Sequence, residues 1–507
     1  MKNHRTTIVF YLSSILLFSS CGIMLKEEAK ITEEEKIQLA EVMDSISEET
    51  LLGYVRKLSS DRYAGRLTGT PEYRWCARWA ASLFKKWGLK PGADSHSYLQ
   101  TYPNPYTIVF VGGELSYNYR SRGRWRKKKY IYEKEYYPGS QSGDGEITAE
   151  VVYVGYGITA PELHYDEYAG VNVKGKIVLV EPEVPLTPQQ NPQAFKKWRP
   201  YSYPAYKVKM AVAHGARGML FNQLRVNTNT TYVQDFMVAQ VGEAVVKDVF
   251  GRTGKTHDQV KEKIKTTLKP QSFRTHKVFT IKNFTEHHPH GKGYNVIGMI
   301  EGTDPLLKGE AIVLGANLDH VGFCYQIMPG ANDNASGAAV MLGVAEAVAK
   351  SPIKPKRSLL FIAFGSKEQA FRGSRAYVEQ PALPADKTVV LLNLDMVGCG
   401  DRVKALAALN YPEIWKFISE AEKISGRKIM EPLPFDNIDR PRSDAAVFIN
   451  EGIPSILFRA YGSPTYPHTT RDTVKTVTPE VMTDLARIMF RAVLDLANSN
   501  RDFMAME

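Results

Sequence analysis

Seven residues in the second half of this 507-residue chain have the types and spacing to do chemistry together. Asn317 and Asp319 follow the apolar run AIVLGA, and Asp333 precedes the small-residue segment ASGAAVMLGVAEAVAK. Lys367 and Glu368 follow SLLFIAF, Asp395 closes VVLLNL, and His468 comes after SILFRAY. Carboxylates and an imidazole hold zinc, and they take up or hand on protons near neutral pH. Any one of them alone reads as a turn residue or a cap; Asp333 with Asn334, for example, makes a good N-cap. Their recurrence at the ends of apolar runs is what points to a shared site.

The elements that must position them alternate regularly after Gly293. NVIGMIEG, AIVLGA, SLLFIAF, VVLLNLDM and SILFRAY read as strands, whereas ASGAAVMLGVAEAVAK, FRGSRAYVEQ, NYPEIWKFISEAEKI and residues 479–497 read as helices. Continuous apolar strands between helices predict an α/β fold with a largely parallel sheet covered on both faces. In open sheets of this kind a ligand lies beyond the carboxyl ends of the strands, where the seven residues fall.

Earlier in the chain, residues 37–57 have a helical pattern and 72–87 a clearer one. Trp75, Trp79, Leu83 and Trp87, with Cys76, Ala80 and Phe84 beside them, predict a broad apolar face packed into the core. Cys76 then reads as a small buried residue. SSDRYAGRLTGTPE reads as a polar connection, residues 105–140 as hairpins, and residues 145–280 as a separate α/β module with a long loop over 182–204.

Composition limits the function classes. With 43% hydrophobic and 23% charged residues the chain is neither disordered nor polytopic. Four cysteines without a CxxC pair make no thiolate zinc ribbon and no disulfide framework. Of the net charge of +11, seven charges lie in Arg120, Arg122, Arg124, Arg126, Lys127, Lys128 and Lys129, and two more are Lys2 and Arg5. The excess is local, so no nucleic-acid partner is expected. Lys2 and Arg5, the apolar stretch from Ile8 to Phe18, and Ser19, Ser20 and Cys21 predict a signal peptide over 1–20. The small residues before Cys21 resemble a bacterial lipobox, which implies a lipid on Cys21. It also implies a tether over 21–43 and a place in the cell envelope as an outer-membrane lipoprotein, its side of the membrane left open.

The segments LSSDRYAGRLTGTPE, YNVIGMIEGTDPLLKGEAIVLGANLDHVG, GANDNASGAA, FGSKEQAFRGS, LLNLDMVG and YPHTTRDT resemble, in order and spacing, the co-catalytic zinc aminopeptidase family. YVGYG, YAGVNVKGKIVLVE and AVAHGARGMLF are similar to the protease-associated domain that many members carry. The resemblance implies a phosphorylase/aminopeptidase-like three-layer sandwich, split over 44–110 and 285–500, with the inserted protease-associated domain over 140–282. It implies peptides or small amine-bearing ligands as partners, and hydrolysis of N-terminal peptide bonds as the family reaction. Carried over position by position, it makes Asp333 the bridging metal ligand. Glu368 and His468 complete one zinc site, Asp395 belongs to the other, and Asp319 supports the ligands.

Two positions depart from the family pattern. Asn317 stands where a ligand His is usual, and its neutral amide is not expected to bind zinc. His320 is close by but three residues along, and it is not expected to take over. Lys367 stands at the position of the general base, a carboxylate worth roughly a hundred- to ten-thousandfold in rate. One zinc is therefore expected, at Asp333, Glu368 and His468, and two are not. The Lys367 ammonium would neutralise the carboxylates that lack a second ion. Two functions stay open: an impaired peptidase or peptide-binding pseudo-enzyme, or an active one-zinc aminopeptidase or cyclase-like hydrolase using another base. Side-chain specificity would depend on loops such as residues 435–442.

Overall fold

The computed structural model describes residues 32–435 and 443–503. The signal peptide and Cys21, and most of the loop 435–442, lie outside them.

The site is carried by one mixed sheet. From edge to edge its strands are Lys90–Pro91, Lys292–Ile300, Ser358–Phe364, Ala311–Asn317, Thr388–Leu394, Ser455–Tyr461, Arg402–Leu406 and Met430–Leu433. Ser358–Phe364, Ala311–Asn317, Thr388–Leu394 and Ser455–Tyr461 are mutually parallel, because helical crossovers separate them in the chain. The parallel part is thus the middle of the sheet, and the strands beside it, Lys292–Ile300 and Arg402–Leu406, run antiparallel to their inner neighbours.

Both faces are covered, and the strands show it by alternation. Ile312, Leu314 and Ala316 join the core under the helices Glu48–Leu58, Gly337–Lys350, Pro412–Ile424 and Pro479–Asn498. Ala311 and Val313 face the opposite core, with Tyr377 and Phe448 of the helices Arg372–Glu379 and Asp444–Asn450. A period of two that is apolar on both sides is the signature of a sandwiched strand.

A second sheet is built mainly from residues 106–288, and the short strands Phe323–Cys324 and Gln326–Ile327 extend it beside Tyr106–Ser121. The long strands Tyr106–Ser121 and Phe273–His288 pair with each other, and Gly145–Tyr153, Ile177–Val180, Gly218–Phe221 and Met237–Val241 continue the sheet from Phe273–His288. Sheet membership therefore changes after Pro103 and again after His288. The basic tract forms a hairpin of Tyr106–Ser121 with the fully exposed strand Arg124–Lys129, and Arg120 lies over the ring of Trp125.

Several local expectations are corrected. The tether does not extend through residue 43: Glu33–Asp44 is a helix started by a Thr32–Glu35 capping box, and its Leu39 is buried. A second helix, Glu48–Leu58, starts afresh at Ser47, whose side chain accepts from the Thr50 N–H. The 37–57 pattern is thus two helices. In Pro71–Lys86 the buried stripe is Tyr73, Cys76, Ala77, Ala80 and Phe84, while Trp75 is 46% exposed. Trp79, Leu83 and Trp87 are partly buried against the core as expected, so of that row Trp75 alone turns out to solvent, as a four-residue spacing on a 3.6-residue helix allows. Cys76 is buried as expected, its thiol pushed up to about 12 by burial. The loop 182–204 contains the helix Pro192–Trp198, whose Phe195 and Trp198 are buried.

Candidate functional site

The parallel strands deliver Asn317, Asp395 and the turn holding Lys367 and Glu368 to one end of the sheet. Strands on both sides of Ala311–Asn317 are reached by later crossovers, so the site lies where the strand order diverges. Asp319 fixes the turn, since its carboxylate accepts the Lys367 and Glu368 N–H groups at 3.1 Å each. Burial, with the nearby Glu368 charge, pushes the Asp319 carboxyl up to about 8.

The segment carrying Asp333 is held by residues that sequence reasoning missed. Asp472 accepts the Asn332 and Asp333 N–H groups at 2.8 and 2.9 Å. Arg66, fully buried in what reads as a polar connection, donates to the carbonyls of Leu318, Pro329 and Gly330, tying both site loops together. Asn334 does more than its position suggests: its side-chain oxygen accepts the Gly337 N–H at 3.2 Å at the start of the helix Gly337–Lys350. Its amide N–H groups reach Leu394 O and Asn317 Oδ1, and its oxygen also accepts from Met396 N, so it clamps the ends of the strands Ala311–Asn317 and Thr388–Leu394. Asn317 thereby spends its oxygen on Asn334 and its N–H on the Asp319 carbonyl. Each end of that amide therefore already has a protein partner.

Lys367 sits among the carboxylates. Its Nζ lies 2.7 Å from Glu368, 3.2 Å from Asp333 and 3.4 Å from Asp395, with the lysine only 8% exposed. Burial works against its charge, but Asp333, Asp395 and Glu368 outweigh it and hold the ammonium well above its usual range. Arg459, also missed, sits inside the strand Ser455–Tyr461 and donates to Asp395 at 2.6 Å. A charged residue in an otherwise apolar strand was the available signal. Glu368 is pushed down to about 2: burial opposes this, but Lys367 and His468 prevail.

His468 faces the other side of Asp333 and Glu368, its Nε2 3.3 and 3.1 Å from their oxygens. Its Nδ1–H donates to the Val226 carbonyl at 2.7 Å, which orients Nε2 toward the acids. Burial disfavours its charged form, yet Glu368 and Asp333 push it up to about 9. Val226 belongs to a loop of the second-sheet region. From the same loop Thr228 donates to the Glu368 carbonyl at 2.8 Å. A cavity of about 450 Å³ opens between the two regions, lined by Arg225 and Asn227 on one side and Lys367, Glu368, Arg459 and His468 on the other.

His320, Asp333, Glu368 and His468 each offer one ligand atom, and these atoms all lie within 4.8 Å of one another. His320 is fully buried and neither of its ring nitrogens has a hydrogen-bond partner. An imidazole left so is costly unless something else meets it, and this donor set suits a zinc-type ion. Asp395 stands apart from this group, paired with Lys367 and Arg459.

The sequence profile of peptidase family M28 matches residues 295–493. Among curated proteins, aminopeptidase YwaD of Bacillus subtilis is 27% identical over 218 residues, 41% of this chain and 45% of that one. The alignments span about a quarter to half of the first such relatives' lengths. Among solved structures, the aminopeptidase from Aneurinibacillus sp. strain AM-1 matches with a TM-score of 0.62 and 21% identity, covering 90% of this chain and 96% of that one. BSAP, a zinc aminopeptidase from Bacillus subtilis, matches with a TM-score of 0.57 and 20% identity over 89% and 95% of the two chains. Residues 295–493 thus carry the sequence profile of peptidase family M28, and the fold around them is similar to that of solved aminopeptidases, in keeping with the resemblance of the motifs to the co-catalytic zinc aminopeptidases.

Proposed function

We propose that this chain is an exported M28 protein whose cleft holds one zinc ion and binds the amino end of peptides, with hydrolysis of the N-terminal peptide bond greatly weakened or lost. The observation that carries this reading is the Lys367 ammonium, within 3.4 Å of three carboxylates. A zinc with an open coordination position there would polarise a scissile carbonyl. Asp333, Glu368 and His468 would hold it, and Val226 would fix the imidazole. The proton of the attacking water then needs an acceptor. Lys367 stands where that acceptor belongs and its ammonium is stabilised, so it cannot take the proton up. Asp333 and Glu368 are occupied by Lys367 and His468, and Asp395 by Lys367 and Arg459. Export, with a lipid on Cys21, belongs to the same proposal and rests on the N-terminal sequence.

The test is metal content of the purified chain together with release of amines from a panel of aminoacyl reporters. We expect about one zinc per chain and little or no release. Release that a chelator and His468→Ala both abolish would overturn the loss of hydrolysis. The paired change Asn317→His with Lys367→Glu is expected to add a second ion, and regained hydrolysis would identify these two positions as the cause of the loss.

A further inference from the structure

The imidazole missing at Asn317 has a counterpart three residues along, in a place the sequence pattern argues against. We infer that His320 is the fourth protein ligand of a single zinc ion, so that two imidazoles and two carboxylates close the site while Lys367 remains the resident cation of the neighbouring position. The inference rests on the proposed one-zinc reading and adds to it who holds the ion and why it is held rather than opened to water.

Three observations carry it. His320 is 0% exposed and both ring nitrogens lack a hydrogen-bond partner, although its backbone N–H is tied to Arg66 O. A buried polar group without a partner is destabilising, and native structures rarely keep one without a use. Its ring is also fixed. Gly330 has φ +59°, and a Cβ there would come within 2.6 Å of the His320 Cγ and Cδ2, so the backbone is pressed against the ring face. The ring meets that of His468 edge-on, with centroids 5.4 Å apart, and the ligand atoms of His320, His468, Asp333 and Glu368 fall within 4.8 Å of one another.

Charge agrees with the geometry. Asp333, Glu368 and Asp395 bring three negative charges, and Lys367 and Arg459 return two positive ones. One negative charge remains, which a single divalent ion more than offsets, and a second ion would have to displace Lys367 from Asp333 and Asp395. Four protein ligands complete the tetrahedron that zinc favours in sites that hold the ion without opening it to solvent.

The full chain would be stripped with a chelator and titrated with Zn²⁺ and Co²⁺, reading ions bound per chain, affinity and the visible Co²⁺ spectrum. One ion is expected, with a four-coordinate Co²⁺ spectrum unchanged by added azide. His320→Phe should weaken Zn²⁺ binding at least tenfold while His468→Ala weakens it as much or more. His320→Cys should restore affinity and add a sulfur-to-cobalt charge-transfer band, a signature that a purely structural role for His320 could not produce. Two ions per chain, undiminished affinity in His320→Phe, or no charge-transfer band in a folded, cobalt-loaded His320→Cys would each overturn the inference. If the parent chain binds no ion, the one-zinc reading falls with it. If His468→Ala alone loses affinity, that reading stands and only the His320 ligand falls.

Discussion

Two buried charge clusters in this molecule use almost the same side chains and come to different ends. In the second-sheet region Glu181 is fully buried and receives His257 at 2.7 Å, Asn222 at 2.9 Å and Lys261 at 3.2 Å. His257 and Lys261 remain 21% and 30% exposed, so their charges are still shared with water. At the cleft three carboxylates share Lys367, which is 8% exposed, and His320 has no partner for either nitrogen. A carboxylate, an imidazole and a lysine in contact do not by themselves make a site. What sets the cleft apart is unmet bonding capacity facing a cavity.

Lys367→Met is the harshest way to break the comparison. It leaves Asp333, Glu368 and Asp395 without their shared cation, and removing one partner of a buried ion pair costs about 3–5 kcal/mol. We expect the metal-free protein to lose at least that much in denaturant unfolding. Added zinc should then stabilise the variant more than it stabilises the parent. Equal zinc stabilisation in both would mean that Lys367 does not take the place of an ion. Glu181→Ala should cost less, about 2–3 kcal/mol, because His257 and Lys261 can turn to water, and it should leave zinc affinity unchanged.

This contrast also explains what the sequence shows and hides. Lys367, Glu368, Asp395 and His468 are legible because each closes or follows an apolar run, and Asp333 because it precedes a small-residue helical run, and the sheet gathers run ends by its own geometry. Arg66, Asp472 and Val226 are not legible, since each acts through partners 139 to 264 residues away and no local pattern marks a carbonyl that will meet a ligand. His320 is visible, but spacing along the chain does not show that Gly330 lets its ring lie against the backbone beside Asp333, Glu368 and His468. The helices and parallel strands follow from apolar periodicity. The division at Ser47 and the helix over Pro192–Trp198 depend on caps and packing instead.

A pH titration separates the two kinds of buried acid more gently. Burial raises the Glu167 carboxyl from 4.5 to about 7, against the Tyr165 hydroxyl and the backbone N–H groups that favour its charge. The folded state therefore holds a proton that the unfolded chain releases. Stability should fall as pH rises from about 4.5 to 7 and then level off. Replacement by Gln should remove about 2 kcal/mol of that slope between pH 5 and 8. Glu181 has the opposite sign: burial resists its ionisation, but His257 and Lys261 lower its value, so its contribution is present above 4.5 and fades in more acid solution. A Glu167→Gln variant whose slope matches the parent's would show that Glu167 is ionised in the folded protein.

The smallest expected effect probes the join between the two regions. Thr228 contributes one hydroxyl to the Glu368 carbonyl, and Thr228→Val keeps its shape while deleting that bond, worth about 1 kcal/mol. If the loop only packs against the cleft, the change should show in thermal stability alone. If the loop positions the ligand, zinc affinity should fall about tenfold as well, as for other groups that orient a ligand from behind. Because Val226 of the same loop holds His468 through a backbone carbonyl that substitution cannot remove, Thr228 is where the second-sheet region's hold on the metal ligands can be tested by a single side chain.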